Sequence, residues 1–517
     1  MEEAQLLEAL SIYYGLPIRE SLESRLTPAQ LGLVPLTYLK SNRLVPLALA
    51  GDTLTLALAD PSRSAVLNDL RVVFDAPRIE GRLAPPREIG AAINRLYDRL
   101  TSATPEAIQE IDEEAAGLSF SDLGEIEDLM DVTSEAPVVK LVNLILVEAV
   151  KRRASDIHIE PYRGELKIRY RVDGLLYDVH TPPRGLAAAI SSRIKVMSDL
   201  DIAERRLPQD GRLQIKVAEQ EIDVRVSVVP TAFGERIVLR LLNKSAALLT
   251  LSQLGFSEAA HDLLHQLITR TAGIILVTGP TGSGKTTTLY AALQAINTPE
   301  KNILTVEDPI EYQIGGVGQM QINPKVGLTF ARALRSMLRH DPNIIMVGEI
   351  RDVETAQIAI QASQTGHLVF STLHTNNAAG AMIRLNDMGI EPFLIATSVS
   401  AVLAQRLVRR ICPHCRQETD YPAAVLAEVG LRPEDGPFFE SSGCDECLGS
   451  GFFGRCGIYE LLVVDEAIRE TILARAAAGQ IQAAAIKAGM LTLLEDGALK
   501  IRTGVTTPQE VMRVVHA

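Results

Sequence analysis

Hydrophobic and polar residues follow two different patterns along the chain, and the patterns separate two kinds of sheet. Between residues 156 and 244 apolar and polar positions alternate, as in Leu166 to Val172, which predicts strands with one buried face. From Leu251 onward short apolar runs alternate with helix-compatible stretches, which predicts a parallel, doubly wound sheet. The chain is therefore expected to contain two sheet domains of different construction.

The first of these domains is predicted over residues 134–245 as a mixed α/β domain. Ser134 to Val150 has the pattern of a capped amphipathic helix, and an Asp173-Gly174 turn closes the strand from Leu166. Further alternating runs predict strands at Ile157 to Ile159, Leu213 to Val217, Ile222 to Val229 and Arg236 to Leu242. His158 falls on one of these strands, where we interpret it as a surface histidine rather than a ligand.

The region before residue 134 divides into a small domain and a linker. Residues 1–100 mix amphipathic stretches with short strands such as Thr53 to Ala59, which predicts a small α+β domain suited to docking. Residues 101–136 carry eleven acidic residues and no lysine or arginine. Such a stretch repels itself, so residues 101–133 are predicted to form a flexible linker.

Composition and charge narrow the functional class. The chain has 517 residues, of which 47% are hydrophobic, so it has enough apolar residues for several cores. Its net charge of −13 is unlike that of a protein that binds nucleic acid or an anionic membrane surface through bulk charge. Neither a leader sequence nor an apolar run of membrane-spanning length is evident. We therefore expect a cytoplasmic protein that reaches the membrane only through partners, and expect its five cysteines to serve metal or redox chemistry.

A phosphate-binding loop follows the apolar run that ends at Thr278. Gly279 and Gly284 are separated by four residues and followed by Lys285 and Thr286, so backbone amides and a helix N-terminus can surround phosphate oxygens. In this pattern the lysine reaches the β- and γ-phosphates and the threonine hydroxyl binds Mg²⁺. The residues predicted to hold the nucleotide are Gly279, Pro280, Thr281, Gly282, Ser283, Gly284, Lys285, Thr286 and Thr287.

Carboxylates and histidines follow or flank three later apolar runs of the same domain. Glu307 ends the run from Ile303, Glu349 follows the run from Asn343, and His367 and His374 flank the run from Leu368. Each acid by itself could equally cap the next helix. Their joint appearance after one phosphate loop favours catalysis, with Glu349 as the residue that positions or polarises the attacking water.

Four cysteines form two pairs of metal-ligand spacing: Cys412 with Cys415, and Cys444 with Cys447. Two such pairs supply the four thiolates of a tetrahedral zinc site, and four thiolates leave no open position, so the zinc is expected to be structural. Buried thiols or a transient disulfide are the alternative. Arg406, Arg409, Arg410 and Arg416 lie beside the first pair, as a positive patch for a partner or acidic lipid headgroups or as a solvated charged face.

The order of these motifs resembles the Walker A, aspartate box, Walker B and histidine box of the type II secretion and type IV pilus ATPase superfamily. The resemblance runs from about Ser134 to the C-terminus and is greatest to the assembly ATPases of type II secretion, through Leu207 to Arg212 and Arg240 to Gly255. It implies a PAS-like domain over 134–245 and a RecA-like ATPase domain over 246–517, with the zinc subdomain at 405–460. ATP, Mg²⁺ and Zn²⁺ are the implied cofactors.

The resemblance also implies an assembly and a set of arginines. It implies a homo-hexamer whose sites lie between the sheet domain and the nucleotide domain, and partners in a bitopic and a polytopic inner-membrane platform protein. The family's arginines fall on Arg225, Arg240, Arg335 and Arg339. An arginine that arrives as the site closes can neutralise developing phosphate charge. For Arg335 a surface ion pair is an equal alternative.

Several alternatives stay open at this stage. A type IV pilus extension ATPase belongs to the same class, whereas a nucleic-acid translocase and a weakly catalytic nucleotide-binding scaffold belong to others. The acidic balance and the lack of aromatic residues near the cysteines disfavour nucleic acid. Some relatives bind cyclic di-GMP through their N-terminal module, but the corresponding pattern is not evident in Met1 to Leu31, so we do not expect such binding here.

Overall fold

The structure is a computed structural model that describes most of the chain. It covers residues 3–18, isolated positions between 22 and 39, and residues 42–61, 64–86, 88–90, 92–93, 137–217, 220–243 and 249–516. The predicted linker at 101–133 and the predicted cap at Ser134 lie outside these residues. The chain divides into two compact units, Met1–Ser245 and Ala246–Ala517.

The first unit begins with a small sheet in the order β1-β2-β3 within the described residues. β2 pairs antiparallel with β1 and parallel with β3. Leucines that alternate along β2, such as Leu54 and Leu56, are fully buried in its core. The described elements are α1 Glu3–Tyr14, β1 Leu44–Ala50, β2 Thr53–Leu58, α2 Ser64–Val73 and β3 Arg78–Leu83.

A second sheet of the first unit has the order β6-β5-β4-β9-β8-β7, and all its described strand pairs are antiparallel. Its apolar face packs on α3, where the buried Tyr170 hydroxyl donates to the Ile145 carbonyl at 2.8 Å. The polar positions of the same strands form the opposite face, as the alternation predicts. The elements are α3 Pro137–Lys151, β4 Asp156–Pro161, β5 Leu166–Val172, β6 Leu175–His180, α4 Ala187–Met197, β7 Gln209–Val217, β8 Gln220–Thr231 and β9 Gly234–Asn243.

The second unit is built on a sheet of order β12-β11-β13-β14-β10-β15-β18 within the described residues. All neighbours pair in parallel except β18, which runs antiparallel to β15. Helices pack on both faces, which confirms the predicted α/β fold. The strands are β10 Gly273–Thr278, β11 Ile303–Glu307, β12 Gly318–Gln321, β13 Ile344–Val347, β14 Leu368–Leu373, β15 Val399–Ile411, β16 Arg416–Thr419, β17 Phe438–Ser441 and β18 Phe452–Val463.

The helices of the second unit connect these strands. They are α5 Glu258–Ile268, α6 Lys285–Ile296, α7 Phe330–Met337, α8 Val353–Gln364, α9 Ala378–Asp387, α10 Pro392–Ser398, α11 Ala423–Glu428, α12 Glu466–Leu473, α13 Ala478–Lys487, α14 Leu493–Arg502 and α15 Pro508–Val515. Short 3-10 helices occur at Arg184–Leu186, Leu251–Gln253, Pro324–Val326, Pro433–Asp435 and Asp445–Cys447.

The parallel pairing decides where the chemistry gathers. Because the carboxyl ends of β10, β11, β13 and β14 meet at one edge of the sheet, the residues after these strands become neighbours. β15 extends past this edge and ends directly before Cys412. None of the helices in the described part of the chain has the length and apolar composition needed to cross a bilayer.

Candidate active site

The loop between β10 and α6 has the conformation that its glycines permit. Gly279, Gly282 and Gly284 have φ values of 149°, 80° and 86°, which disfavour other residues. A Cβ added to Gly279 would lie 2.6 Å from the main-chain oxygen of Gln405, so this position also has no room for a side chain. The backbone can therefore close tightly around a phosphate.

The N-terminus of α6 faces the loop with its amides available. Gly284 is the cap residue, and among the described residues no side chain caps the helix, whereas Ser257 and Asp352 cap α5 and α8. Lys285 Nζ instead donates to the carbonyls of Gly279 at 2.8 Å and Pro280 at 3.0 Å. Burial lowers the pKa of Lys285 to about 8, with Glu349 opposing and Arg406 adding to the shift. The arrangement suits an anionic ligand.

Glu349 lies next to this loop at the end of β13. The Thr372 hydroxyl donates to the Gly348 carbonyl at 2.7 Å, which fixes the turn that carries the glutamate. One Glu349 oxygen lies 2.5 Å from Arg351, and the other lies 3.6 Å from His374 Nε2. The structure thus brings Glu349, His374 and Lys285 together, as the sequence predicts.

The two predicted histidines have different positions. Burial, followed by the charge of Lys285, lowers the pKa of His374, which directly follows β14 at the carboxyl edge. His367 precedes the same strand, and its carbonyl accepts from the Gly273 amide at the start of β10. Its ring lies 2.8 Å from the Ala362 carbonyl. His367 is therefore at the amino edge of the sheet, at the opposite end of β14 from His374, and its catalytic role stays a prediction.

Glu307 is buried rather than open to a ligand. Its side chain is reached by the Tyr290 hydroxyl, the Thr305 hydroxyl at 2.5 Å and the Gln319 amide at 3.0 Å. The residue is 3% exposed. Because Tyr290 belongs to α6, this carboxylate connects the helix after the phosphate loop to β11, which favours a positioning role over direct contact with substrate.

The four predicted arginines fall in both units. In the second unit Arg335 forms an exposed ion pair with Glu354 at 2.5 Å, and Arg339 donates to the Arg335 carbonyl at 3.0 Å. In the first unit Arg225 and Arg240 lie opposite each other on β8 and β9. One row across five neighbouring strands of that sheet contains Arg171, Asp156, Arg240, Arg225 and Arg212.

His158 differs from its prediction. It lies on β4 between Asp156 and Glu160 and is 8% exposed, so the expectation of a surface histidine is wrong. Burial lowers its pKa, and arginines from the neighbouring strands surround it. The polar face of this sheet is covered by its own long side chains, which an alternating pattern does not reveal.

The four cysteines lie close together. Three Sγ pairs are 3.7–3.8 Å apart: Cys412 with Cys444, Cys415 with Cys447, and Cys444 with Cys447. Ligands about 2.3 Å from a zinc ion at tetrahedral angles would be separated by about 3.8 Å. The amides of Cys444 and Gly451 point at the Cys447 sulfur, which suits a thiolate. The cluster is therefore compatible with a tetrahedral metal site.

The four arginines beside the cysteines differ in exposure and in their contacts. Arg406 is buried, Arg409 pairs with Glu510 at 2.6 Å, and Arg416 stacks on Phe439. Arg410 instead lines a cavity of about 1050 Å³. Arg410 and Arg416 are exposed, so a positive surface patch made by these two residues stays a prediction.

That cavity is a feature that sequence analysis missed. Cys456 lines it and pairs with Val408, the residue after Leu407, which packs under Gly284 of the phosphate loop. Phe256 stacks on Tyr459 at 3.8 Å between ring centroids and forms part of its wall. The cationic lining residues are Arg410, Arg455, Lys500 and Arg502. Their spacing along the chain gives no local pattern.

Comparisons with known proteins match most of the chain. The profile of the type II/IV secretion system protein family matches residues 131–513, and that of the MshEN domain matches residues 14–103. Type II secretion system ATPase E of Vibrio cholerae is 50% identical, with 88% of this chain and 91% of that protein covered. Type IV pilus assembly ATPase PilB of Myxococcus xanthus is 43% identical over 99% of this chain and 91% of that protein.

Solved structures agree at the level of the fold. The ATPase DotB of Legionella pneumophila has a TM-score of 0.54 and 22% identity, with 76% of this chain and 99% of that chain covered. The ATPase DotB of Yersinia pseudotuberculosis has a TM-score of 0.55 and 24% identity, with 72% of this chain and 92% of that chain covered.

Proposed function

The chain belongs to the type II/IV secretion system protein family, and from this premise we propose that it hydrolyses ATP to drive pseudopilus assembly and protein export by a type II secretion system. Membership of the family makes the chain an ATPase. Type II secretion ATPases are 44–50% identical to it over most of its length, which favours type II secretion. The observation that carries the assignment to this site is the convergence of Lys285, Glu349 and His374 at the uncapped end of α6.

Each residue has a chemical task in this proposal. The loop from Gly279 to Thr287 holds the phosphates, and Lys285 turns from its own carbonyls to the β- and γ-phosphates. Thr286, exposed in the first turn of α6, would bind the Mg²⁺ that neutralises phosphate charge. Glu349 orients the attacking water, and His374 lies where it can contact the γ-phosphate. Glu307 and His367 complete the proposed catalytic set, Glu307 by positioning β11 and His367 from the amino end of β14.

The cavity lined by Phe256 and Arg410 is the proposed site of the nucleoside. Phe256, which stacks on the buried Tyr459, offers an apolar wall for a base, and the cationic lining residues are suited to ribose and phosphate oxygens. The first unit contributes Arg225 and Arg240 in a homo-hexamer, together with Arg335 and Arg339 of the second. These arginines neutralise charge that develops on the γ-phosphate.

The remaining parts have structural or docking tasks in the proposal. Zinc occupies the tetracysteine cluster as a structural ion. The cluster belongs to the zinc subdomain at 405–460, within the ATPase domain at 246–517.

Residues 1–100 dock on the cytoplasmic domain of a bitopic inner-membrane protein. Residues 101–133 link this docking domain to the domain at 134–245. A polytopic platform protein is the second partner, nucleic acid is not a partner, and the motor works in the cytoplasm at the inner membrane. The N-terminal segment Met1 to Leu31, where no cyclic di-GMP pattern is evident, lies partly outside the described residues.

Type IV pilus assembly is the second candidate function. The pilus assembly ATPase of Myxococcus xanthus matches 99% of this chain, a larger share than the Vibrio cholerae secretion ATPase matches. Both functions use the same hydrolysis, so only the partner distinguishes them.

The test measures ATP hydrolysis by the full chain, alone and with lipid-tethered cytoplasmic domains from a secretion or a pilus platform. We expect stimulation by the secretion domain, its loss when residues 1–100 are removed, and loss of all hydrolysis in Glu349→Gln and Lys285→Ala. Arg469→Gln, at an exposed position of α12, is the control and should match the wild type. Full activity of Glu349→Gln contradicts the assigned chemistry, whereas stimulation by the pilus domain alone favours the second candidate.

A further inference from the structure

Gln405 and Arg406 are polar side chains buried under the phosphate loop. They are 1% and 4% exposed, although they interrupt an otherwise apolar stretch of β15. Thr278 at the end of β10 pairs with Ala404, so the next two residues of β15 lie beside the first residues of the loop. Buried polar groups of this kind are retained at a cost unless their contacts serve the structure or the chemistry.

Gln405 holds the loop at both ends. Its side-chain amide donates to the Ser283 carbonyl at 2.5 Å, and its side-chain oxygen accepts from the Thr288 hydroxyl at 2.8 Å. Its main-chain oxygen is the atom that a Cβ on Gly279 would strike. One residue therefore fixes the first glycine, the last turn of the loop and the start of α6.

Arg406 holds the segment that carries His374. Its guanidinium donates to the Asn376 carbonyl at 3.0 Å and to the Gln405 carbonyl at 3.1 Å, so it reaches from β15 past the end of β10 to the chain leaving β14. Glu460 on β18, which pairs with Ala404, accepts from the Ala378 amide at 2.8 Å in the same segment. The residues after His374 are thus anchored by side chains of the β15–β18 pair.

Arg406 carries its charge in a buried position, which disfavours the charged form. Burial lowers its pKa, opposed by Glu460, and its Nε has no hydrogen-bond partner among the described residues. The Nη1 atom of Arg406 lies 3.3 Å from the position of a Cβ on Gly279. Both guanidinium hydrogen bonds of Arg406 go to main-chain carbonyls, so this side chain orients backbone.

We propose that Gln405 and Arg406 are positioning residues with separate tasks. Gln405 sets the shape of the phosphate loop and so the affinity for nucleotide, whereas Arg406 sets the place of His374 opposite Glu349 and so the turnover. This inference rests on the proposed ATP hydrolysis. It adds two residues that act through others, and neither contacts the nucleotide.

The test compares equilibrium binding of a fluorescent ATP analogue with kcat and KM for ATP, using the full chain. Gln405→Met keeps length without hydrogen bonds and should weaken binding about tenfold or more, with kcat within about threefold. Arg406→Met should lower kcat about tenfold or more, with binding within about threefold. Arg406→Lys, which can keep one contact, should recover part of kcat, and Arg469→Met is the control.

The outcomes separate this inference from the proposed function. A wild type that binds but does not hydrolyse ATP overturns the proposed function. An active wild type whose two variants match it, or lose binding and kcat by the same factors, overturns the division of tasks. If Arg406→Met does not fold by circular dichroism, Arg406→Lys is judged alone, and an unchanged kcat in that variant overturns the role of Arg406.

Discussion

At Gly279 the absence of a side chain shapes the site. Its φ of 149° lies outside the range that other residues prefer, and a Cβ would lie 2.6 Å from the Gln405 carbonyl and 2.7 Å from the Ser283 hydroxyl. Gln405 on β15 and Ser283 in the loop are both buried, so neither can move aside easily. A larger residue must therefore move the loop away from β15.

We expect Gly279→Ala to weaken ATP binding about tenfold or more, because a displaced loop can no longer direct its amides at the phosphates. Gly366→Ala is the matched control: Gly366 also has a positive φ, of 100°, but an added Cβ meets nothing within 4 Å. The control should lose about 1–2 kcal/mol of unfolding free energy and keep its affinity. Nucleotide titration and thermal unfolding measure both, and equal affinities for the two variants contradict the steric argument.

Sequence predicted those residues whose partners are specified by the order of the motifs. Lys285, Glu349 and His374 were found because parallel strands bring their following residues to one edge. His367 and His374 flank the same apolar run, but six strand residues, about 20 Å at 3.3 Å each, place them at opposite edges of the sheet, and the order of the motifs did not indicate this separation. The supporting roles of Gln405 and Arg406 were missed because both residues lie more than a hundred positions along the chain from the loop, so only the fold makes them neighbours of it.

At the scale of elements, a buried ion pair fixes α15 against β15. Glu510 is 3% exposed and accepts from Arg409 at 2.6 Å and from Arg513 at 2.8 Å. Burial by itself would raise the pKa of Glu510, but the two arginines lower this pKa to about 2. The carboxylate is thus stabilised in its charged form, and the strand that leads to the cysteines is anchored.

We expect Glu510→Gln to lower the unfolding free energy by about 3 kcal/mol at neutral pH, because two arginines lose their charged partner. The native pKa lies below that of the unfolded chain, so this contribution is complete above about pH 5 and is lost as the pH falls toward 2. The difference from the wild type should be about 1 kcal/mol smaller at pH 4 than at pH 7.

Urea unfolding at pH 7, 5 and 4 measures this dependence. Glu466→Gln, whose partner pair with Arg469 is exposed, should change stability by less than about 1 kcal/mol at each pH. A Glu510→Gln difference that stays constant from pH 7 to pH 4 would show that the native carboxyl is not held ionised by the arginines.

The tetracysteine cluster is a second element whose geometry makes a prediction. We expect the purified chain to contain about one zinc ion and Cys447→Ser to lose most of it, because a tetrahedral site is weakened when a thiolate is removed. Cys456→Ser is the control, since this cysteine lines the cavity and lies outside the cluster. Elemental analysis measures the zinc content of each variant, and thermal unfolding measures its stability. If Cys447→Ser keeps its zinc, as Cys456→Ser should, the proposed site is contradicted.

At the scale of the whole molecule, the proposed catalytic groups are divided between two units. The phosphate loop belongs to Ala246–Ala517, whereas Arg225 and Arg240 belong to Met1–Ser245. Alternating patterns predicted the strands that carry these arginines. The same patterns did not predict that polar residues such as His158 on this sheet are buried, because long side chains of neighbouring strands cover them.

We expect Arg225→Gln and Arg240→Gln to lower kcat about a hundredfold or more, with nucleotide affinity within about threefold, because an arginine that acts on developing charge contributes mainly to the transition state. Arg184→Gln, which removes an exposed arginine of the same unit, is the control and should leave both values unchanged. Steady-state kinetics with equilibrium binding measure the effects. Full kcat in both variants would exclude the first unit from the chemistry.

The open start of α6 gives the ligand a part in folding. A helix that begins without a side-chain cap leaves amide hydrogens to water, and phosphate oxygens are the acceptors that complete it. ATP then takes the place of a helix cap. At a concentration a hundred times its dissociation constant, it would add about 2.7 kcal/mol to the unfolding free energy of the chain. Every release of product leaves these amides to water again, so the start of α6 gains and loses its acceptors once in each working cycle.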